Sequence, residues 1–429
     1  MNQKTIKTLT YNASLEKIEE DVMAFLSEVQ LNFPDAISMA SGRPDESFFD
    51  LENTQKYIDT FVNYRAKQNQ VEVSEYLGSL GQYNRAKGIV NDLAVEYLKK
   101  DYNIQCIPDD LIITVGSQEG MMLSLLTLMN QEVDTICIED PTYIGISYFS
   151  LINNYNIKSI PVKEDGICLE TLEEVVRKKS ILGKPVKLVY VIPDFQNPTG
   201  GRMPIENRKK LIRLAVEYNF IIIEDNAYGD FTFDKQQYPT LKSLDSHGVV
   251  VYLHSFSKIL HPSLRIGIMV ANRKMNEKQK LSHLIAKVKG YTTVNTPALP
   301  QAVLGGILLD QKFSLKAYNE KKLANLKSKR DKVLEMLDVN FKKSSSETLH
   351  KICWNTPKGG YFLTLTLPFS IGKEDVVECA STYKVIFTPM SFFYLGNGGE
   401  NQIRIAYSYM QTHQIEKAIK NLAAFLATK

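Results

Sequence analysis

The strongest constraint on this chain is a long alternation of short apolar runs with helix-like stretches, from about Tyr76 to Leu315. Five runs stand out: Leu111–Thr114, Thr135–Ile138, Val189–Ile192, Ile221–Ile223 and Val249–Leu253. Each is apolar over most of its length rather than at every second position. That reading fits strands covered on both faces, as in a mostly parallel sheet flanked by helices. The alternation therefore predicts an α/β fold. In open α/β sheets, ligands gather beyond the carboxyl ends of the strands. The residues after each run are where chemistry is expected.

After Val249–Leu253 comes Ser255-Phe256-Ser257-Lys258-Ile259-Leu260-His261-Pro262, with Arg265 close behind. A lysine held among hydroxyls and a cation can keep its amine neutral and form an imine with an aldehyde. Ser255, Ser257 and Arg265 are the donors a phosphate needs. A phosphorylated aldehyde of this kind is pyridoxal phosphate.

The other runs supply further parts. After Leu111–Thr114, the turn Val115-Gly116-Ser117-Gln118 opens a helical stretch, and its N–H groups with Ser117 favour a phosphate. Tyr143, after Thr135–Ile138, offers a ring to stack on a pyridine. Asn197 precedes Pro198, which holds its backbone extended and aims its amide, a donor suited to a phenolate oxygen. Asp225 ends an apolar run, where a carboxylate is costly unless paired. A protonated pyridine nitrogen would pair it and make the ring an electron sink. Tyr228 stands three residues on, as a second donor to the phenolate oxygen.

Together with Ile403-Arg404-Ile405-Ala406-Tyr407-Ser408, these blocks resemble the fold-type-I aminotransferases of class I/II. Within that group the chain is similar to the branch of the 2-aminoadipate and aromatic aminotransferases. The segment Ile37-Ser38-Met39-Ala40-Ser41-Gly42-Arg43-Pro44-Asp45 resembles that branch's substrate-side loop. The resemblance runs from about Ala36 to Phe425. It implies a large domain with a mostly parallel central sheet covered by helices, plus a smaller α+β domain. It also implies that Lys258 forms the Schiff base and shuttles a proton. Asp225 would pair the pyridinium, Asn197 and Tyr228 hold the phenolate oxygen, and Tyr143 stack on the ring. Ser117, Gln118, Ser255, Ser257 and Arg265 would cradle the phosphate. Arg404 would bind the substrate α-carboxylate, with Gly42 lining that side. Tyr76 would reach the phosphate of a neighbouring subunit's cofactor, so a homodimer with shared sites is expected. Arg43, beside Gly42, is placed to meet a second carboxylate, as in glutamate or 2-aminoadipate. Tyr11, Tyr83 and Phe33 are the alternative, an aromatic or aliphatic pocket.

The chain departs from that family in two places. The segment Glu75–Gly88 lacks the usual Leu-Arg pair, and a polar stretch, Arg65–Gln70, precedes it. His261 stands where a small or apolar residue is usual. Amino transfer between an L-amino acid and a 2-oxo acid is the leading expectation. A second keeps the cofactor and changes the outcome to a cyclase, lyase, decarboxylase or oxidase. A third, a DNA-binding regulator with an aminotransferase-like domain, is disfavoured because too few residues precede Ile37 for a winged helix.

At 429 residues and 44% hydrophobic, the chain is long enough for a large core. Residues 1–70 are expected to form an N-terminal arm and helices that contribute to the small domain and the substrate side. Residues 71–317 would form the large cofactor domain and 318–429 the C-terminal small domain. An amphipathic helix is expected from Ser14, with Leu15, Ile18, Val22, Phe25, Leu26 and Val29 on one face. A net charge of +3 implies neither a nucleic-acid nor a membrane partner. The five cysteines and six histidines form no metal or redox pattern, and the cysteines are expected to be reduced and buried in a cytoplasmic protein.

Overall fold

The computed structural model describes residues 10–18, 22–234, 236 and 238–429. Eight strands form the main sheet: β1 (Leu111–Thr114), β2 (Thr135–Asp140), β3 (Asn156–Lys163), β4 (Gly166–Ile167), β5 (Val186–Val191), β6 (Ile221–Asn226), β7 (Val250–Ser255) and β8 (Gly267–Val270). Their order is β1-β8-β7-β6-β5-β2-β3-β4. The five strands β7, β6, β5, β2 and β3 run parallel, β8 is antiparallel to both its neighbours, and β4 folds back on β3. The sheet is thus mostly parallel, as the apolar runs predict.

Those runs are apolar because alternate residues serve different cores. Ile221 and Ile223 pack with Ile136, Tyr190 and Leu253 on one face. Ile222 packs with Val189, Val191 and Val250 on the other. Burying each such side chain contributes about 1.5–3 kcal/mol, an upper range for a compact unfolded chain. Crossover helices cover the faces. Ile205–Tyr218 turns Leu211, Ile212, Leu214 and Ala215 inward while Lys209, Arg213 and Glu217 stay in water, and it ends on Asn219 in the left-handed conformation (φ 54°).

A smaller antiparallel sheet follows: β9 (Cys353–Trp354), β10 (Phe362–Thr366), β11 (Thr388–Pro389) and β12 (Gln402–Ala406), in the order β9-β10-β12-β11. Helices Lys316–Leu337 and Thr412–Leu426 pack together beside it. Ile37–Ser38 pairs in parallel with Val385–Ile386, and Ala406 N–H donates to Met39 O at 2.7 Å. The segment around Gly42 is thereby laid alongside β12. Helix Thr54–Asn69 instead lies on Ala298–Asp310, so the first 70 residues serve both parts of the molecule. At their crossing a Cβ on Gly306 would stand 1.9 Å from Tyr57 O, so only glycine permits the approach.

Two expectations need correction. No helix starts at Ser14: Asn12 accepts from Ser14 N at 3.0 Å and caps a 3₁₀ turn, Ala13–Lys17, and the helix spans Val22–Asn32. Residues 19–21 of the expected helix lie outside the described residues. The cysteines are unpaired, but Cys353 is exposed, on edge strand β9, and Cys106 is only half-buried. Among the described residues no helix is long and apolar enough to cross a membrane.

Candidate active site

The carboxyl ends of β1, β2, β5, β6 and β7 converge on a cavity of about 210 Å³. It is lined by Ser117, Gln118, Tyr143, Asn197, Asp225, Tyr228, Ser255, Ser257, Lys258 and Arg265, among others. Ten of the residues singled out in the sequence therefore meet in one place. Lys258 sits in a one-turn helix, Phe256–Ile259, that caps β7. Its Nζ donates to Gly42 O at 2.9 Å. Burial, and then the positive charges of Arg404, Arg265 and Arg43, push its amine down to about 8.

Asp225 is buried at the end of β6. One carboxylate oxygen accepts from Tyr190 OH at 2.7 Å, and the other, Oδ1, has no partner among the described residues. Burial raises its carboxyl to about 6, and the Tyr190 bond opposes that rise. A buried carboxylate oxygen left free in this way calls for a donor from whatever fills the cavity. Asn197 and Tyr228 both line the cavity, and burial holds the Tyr228 phenol well above its ordinary range.

Arg404 projects from β12 and joins the two sheets. Its Nη1 donates to Asn197 Oδ1 at 2.8 Å and its Nη2 to Ala40 O at 2.7 Å. The rings of Phe362 and Phe393 flank the guanidinium, 4.3 and 4.5 Å from centroid to Cζ. Nε has no partner. Burial lowers the group only to about 10, so it stays charged at neutral pH. Gly42 fits against the same ring: a Cβ there would lie 2.6 Å from Phe362 Cζ.

The opposite wall is cationic and rich in donors. Arg265, in the left-handed conformation (φ 50°), donates through Nη1 to Ser257 Oγ at 3.1 Å and through Nη2 to Val115 O at 3.3 Å. Gly116 opens the helix Gly116–Leu128 at φ 75°, and a Cβ there would be 2.5 Å from Arg265 Nη2. Ser117 and Gln118 follow in its first turn, where free N–H groups favour an anion. Gln118 donates to Gly145 O at 3.2 Å, and its Oε1 has no partner among the described residues.

The remaining expected residues lie elsewhere. Tyr76, in helix Val73–Ser79, lines a separate cleft of about 610 Å³ with Arg65 and Arg85. Within one chain it does not meet Lys258. Arg43 is exposed, though close enough for its charge to act on Lys258. His261 does not line the cavity: its Nδ1 meets Ser263 Oγ at 2.8 Å and its ring lies 6.0 Å from that of Phe49. Tyr11 and Tyr83 are 67% and 85% exposed, and Phe33 packs against the core.

Two contacts were missed. The sequence places Tyr190 only within a strand, yet a lone phenol in a buried run needs a partner, which is a usable signal. Lys322, on helix Lys316–Leu337, donates to Lys258 O at 3.3 Å and also to Ile259 O. Nothing local in the sequence announces that contact, 64 residues away.

The family model described as aminotransferase class I and II matches residues 59–422. A curated relative, (S)-3,5-dihydroxyphenylglycine transaminase of Amycolatopsis orientalis, is 35% identical over 420 residues, covering 98% of this chain and 94% of that protein. The 2-aminoadipate transaminase of Thermus thermophilus is 29% identical over 322 residues, 74% of this chain and 76% of the relative. A crystal structure of Pyrococcus horikoshii kynurenine aminotransferase superposes with a TM-score of 0.82 at 29% identity, covering 97% of this chain and 96% of that one. The match over most of the length, to proteins that transfer amino groups, gives no support to a cyclase, lyase, decarboxylase or oxidase; the chain belongs to the class I and II aminotransferases.

Proposed function

We propose that the cavity holds pyridoxal phosphate and that the chain moves an amino group between an L-amino acid and a 2-oxo acid. The observation that carries this reading is Asp225: a buried carboxylate with one free oxygen, in the cavity that Lys258 also lines. A protonated pyridine nitrogen would supply the missing donor. Ser117, Gln118, Ser255, Ser257 and Arg265 would hold the phosphate, Tyr143 the ring face, and Asn197 with Tyr228 the phenolate oxygen. When bound, the cofactor supplies an aldehyde that condenses with amines and a cationic ring that accepts the electron pair left at the substrate Cα.

The protein's share of the work follows from its geometry. Arg404, fixed by Asn197, Ala40 and two rings, would take the substrate α-carboxylate in a bidentate fork. That orients the Cα–H bond. Lys258 Nζ, poised to lose its proton near pH 8, would take the proton from Cα. Proton transfer by a positioned group is worth about 10²–10⁴-fold. Gly42 would line the carboxylate side. Glutamate is the proposed donor, with Arg43 meeting its second carboxylate. Relatives named for aromatic substrates make aromatic amino acids the alternative donor class to test.

We further propose a large domain of residues 71–317, a small domain of 318–429, and an N-terminal arm of 1–70. A homodimer is proposed, with Tyr76 reaching the partner's cofactor phosphate. It is supported by exposed apolar side chains: Asn84 donates to Thr296 O at 3.1 Å, which sets exposed Tyr83 beside the turn carrying exposed Val294. The unpaired cysteines support a reducing compartment such as the cytoplasm.

The test is single turnover of the cofactor-loaded protein against a panel of amino acids, following oxo acid, oxygen and absorbance together. Amino transfer releases oxo acid in step with amination of the cofactor and consumes no oxygen. Oxygen uptake, carbon dioxide or a cyclised product would overturn it. Lys258→Ala is expected to lose both the imine absorbance and nearly all turnover; a variant that kept both would sink the assignment.

A further inference from the structure

Just outside the cavity, a buried ion pair braces the turn that opens the helix Gly116–Leu128. Lys289, on helix Leu281–Thr292, is fully buried, and its Nζ donates to both oxygens of Glu119 at 2.7 Å. It also donates to Thr293 Oγ1 at 3.1 Å, and the Thr293 hydroxyl donates in turn to Glu119 Oε1. Glu119 Oε2 accepts from Val115 N–H at 2.7 Å. With two donors on each oxygen, the carboxylate's roughly four acceptor sites are all taken.

The other face of the Val115 unit leads into the cavity. Its carbonyl accepts from Arg265 Nη2, and Arg265 Nη1 binds Ser257. A continuous chain thus runs from Lys289 through Glu119 and Val115 to Arg265 and Ser257. A buried ion pair adds little net stability, since desolvation offsets most of the attraction. What it does supply is a fixed geometry. Lys289 also cancels a carboxylate charge that would otherwise repel an anion in the adjacent turn.

We propose that Glu119, clamped by Lys289 and Thr293, is a positioning residue for the cofactor phosphate, holding the backbone of Val115 and through it Arg265. The proposal rests on the pyridoxal phosphate reading. Glu119 acts through other groups and need not touch the cofactor.

The experiment compares pyridoxal phosphate with pyridoxal, which lacks the phosphate, by titrating each into purified wild-type, Glu119→Ala and Glu119→Gln protein freed of cofactor. Glu119→Ala is expected to weaken pyridoxal phosphate by about tenfold or more, the scale of a charge-assisted hydrogen bond. Pyridoxal affinity should change less than about twofold, because the loss passes through the phosphate contacts alone. Glu119→Gln keeps an acceptor for Val115 N–H and should recover most of the loss. Equal weakening of both ligands, or no weakening of either, overturns the proposal. If Glu119→Ala does not fold, Thr293→Val, which removes one donor to Glu119, is read by the phosphorus resonance of bound pyridoxal phosphate. A resonance shifted from wild type supports the brace, and an unmoved one overturns it. Wild-type protein that binds neither ligand overturns the cofactor reading itself, an outcome distinct from failure of the brace.

Discussion

Burial and three arginines act on Lys258 in the same direction, since each disfavours the ammonium form. Below pH about 8 the amine is protonated and inert, and above it the nucleophile is free. An ordinary lysine reaches that state only near pH 10.4, a value of about that size in model peptides. The rate at which the cofactor-free protein captures pyridoxal should therefore rise with pH about a midpoint near 8. Arg43→Met removes a positive neighbour, so the ammonium is easier to keep and the midpoint should move up. A midpoint that stays or falls would contradict this account of the field. At Asp225 the Tyr190 hydroxyl supports the charged form, which burial opposes. Tyr190→Phe should let the carboxyl rise further and weaken its hold on the ring nitrogen. Hydrogen bonds to charged groups are worth about 1.5–3 kcal/mol, so kcat is expected to fall by about tenfold or more. Unchanged kcat in fully loaded protein would show that Tyr190 only fills space.

At the scale of elements, the site depends on strand ends and on a few close approaches. Lys258, Asp225, Asn197, Tyr143 and Ser117 were legible in the sequence because each follows its own apolar run, and a parallel sheet brings the carboxyl ends of such runs to one edge. Tyr190 was not, because its role comes from lying one strand over, in the register that pairs it with Ile223. The separation of Tyr76 and His261 from the cavity was equally invisible, since side-chain direction in a turn or helix is set by neighbours. Helix Thr54–Asn69 meets Ala298–Asp310 across Gly305 and Gly306, where added Cβ atoms would lie 2.3 Å from Phe61 Cδ2 and 1.9 Å from Tyr57 O. Phe61 can turn, but a backbone carbonyl cannot. Gly306→Ala should thus cost about 1–3 kcal/mol or more, as overpacking does, and lower the urea midpoint. Wild-type stability in that variant would mean the helices part without penalty.

For the whole molecule, the question is whether one chain holds a complete site. Tyr76 lies on a separate cleft, with exposed apolar residues nearby. If it serves the partner's phosphate, Tyr76→Phe should weaken pyridoxal phosphate in every site of its homodimer. Co-expression with Lys258→Ala should then produce hybrids with one restored site, which pairs Lys258 of the first chain with Tyr76 of the second. A hybrid whose affinity matches Tyr76→Phe alone would rule out sharing.

The sequence alone determined the sheet, its buried runs and the residues at their carboxyl ends, because hydrophobic period and local turn chemistry are short-range properties. It also carried the chemistry of those ends: an amine, a carboxylate, an amide and a cationic cup. Tertiary structure alone decided what surrounds them. It set Gly42 O against Lys258, stacked Phe362 and Phe393 on Arg404, placed Lys322 on the Lys258 carbonyl, and tied Lys289 to Glu119. Most of these contacts join segments dozens to hundreds of residues apart, and no local pattern encodes a partner that only packing brings near.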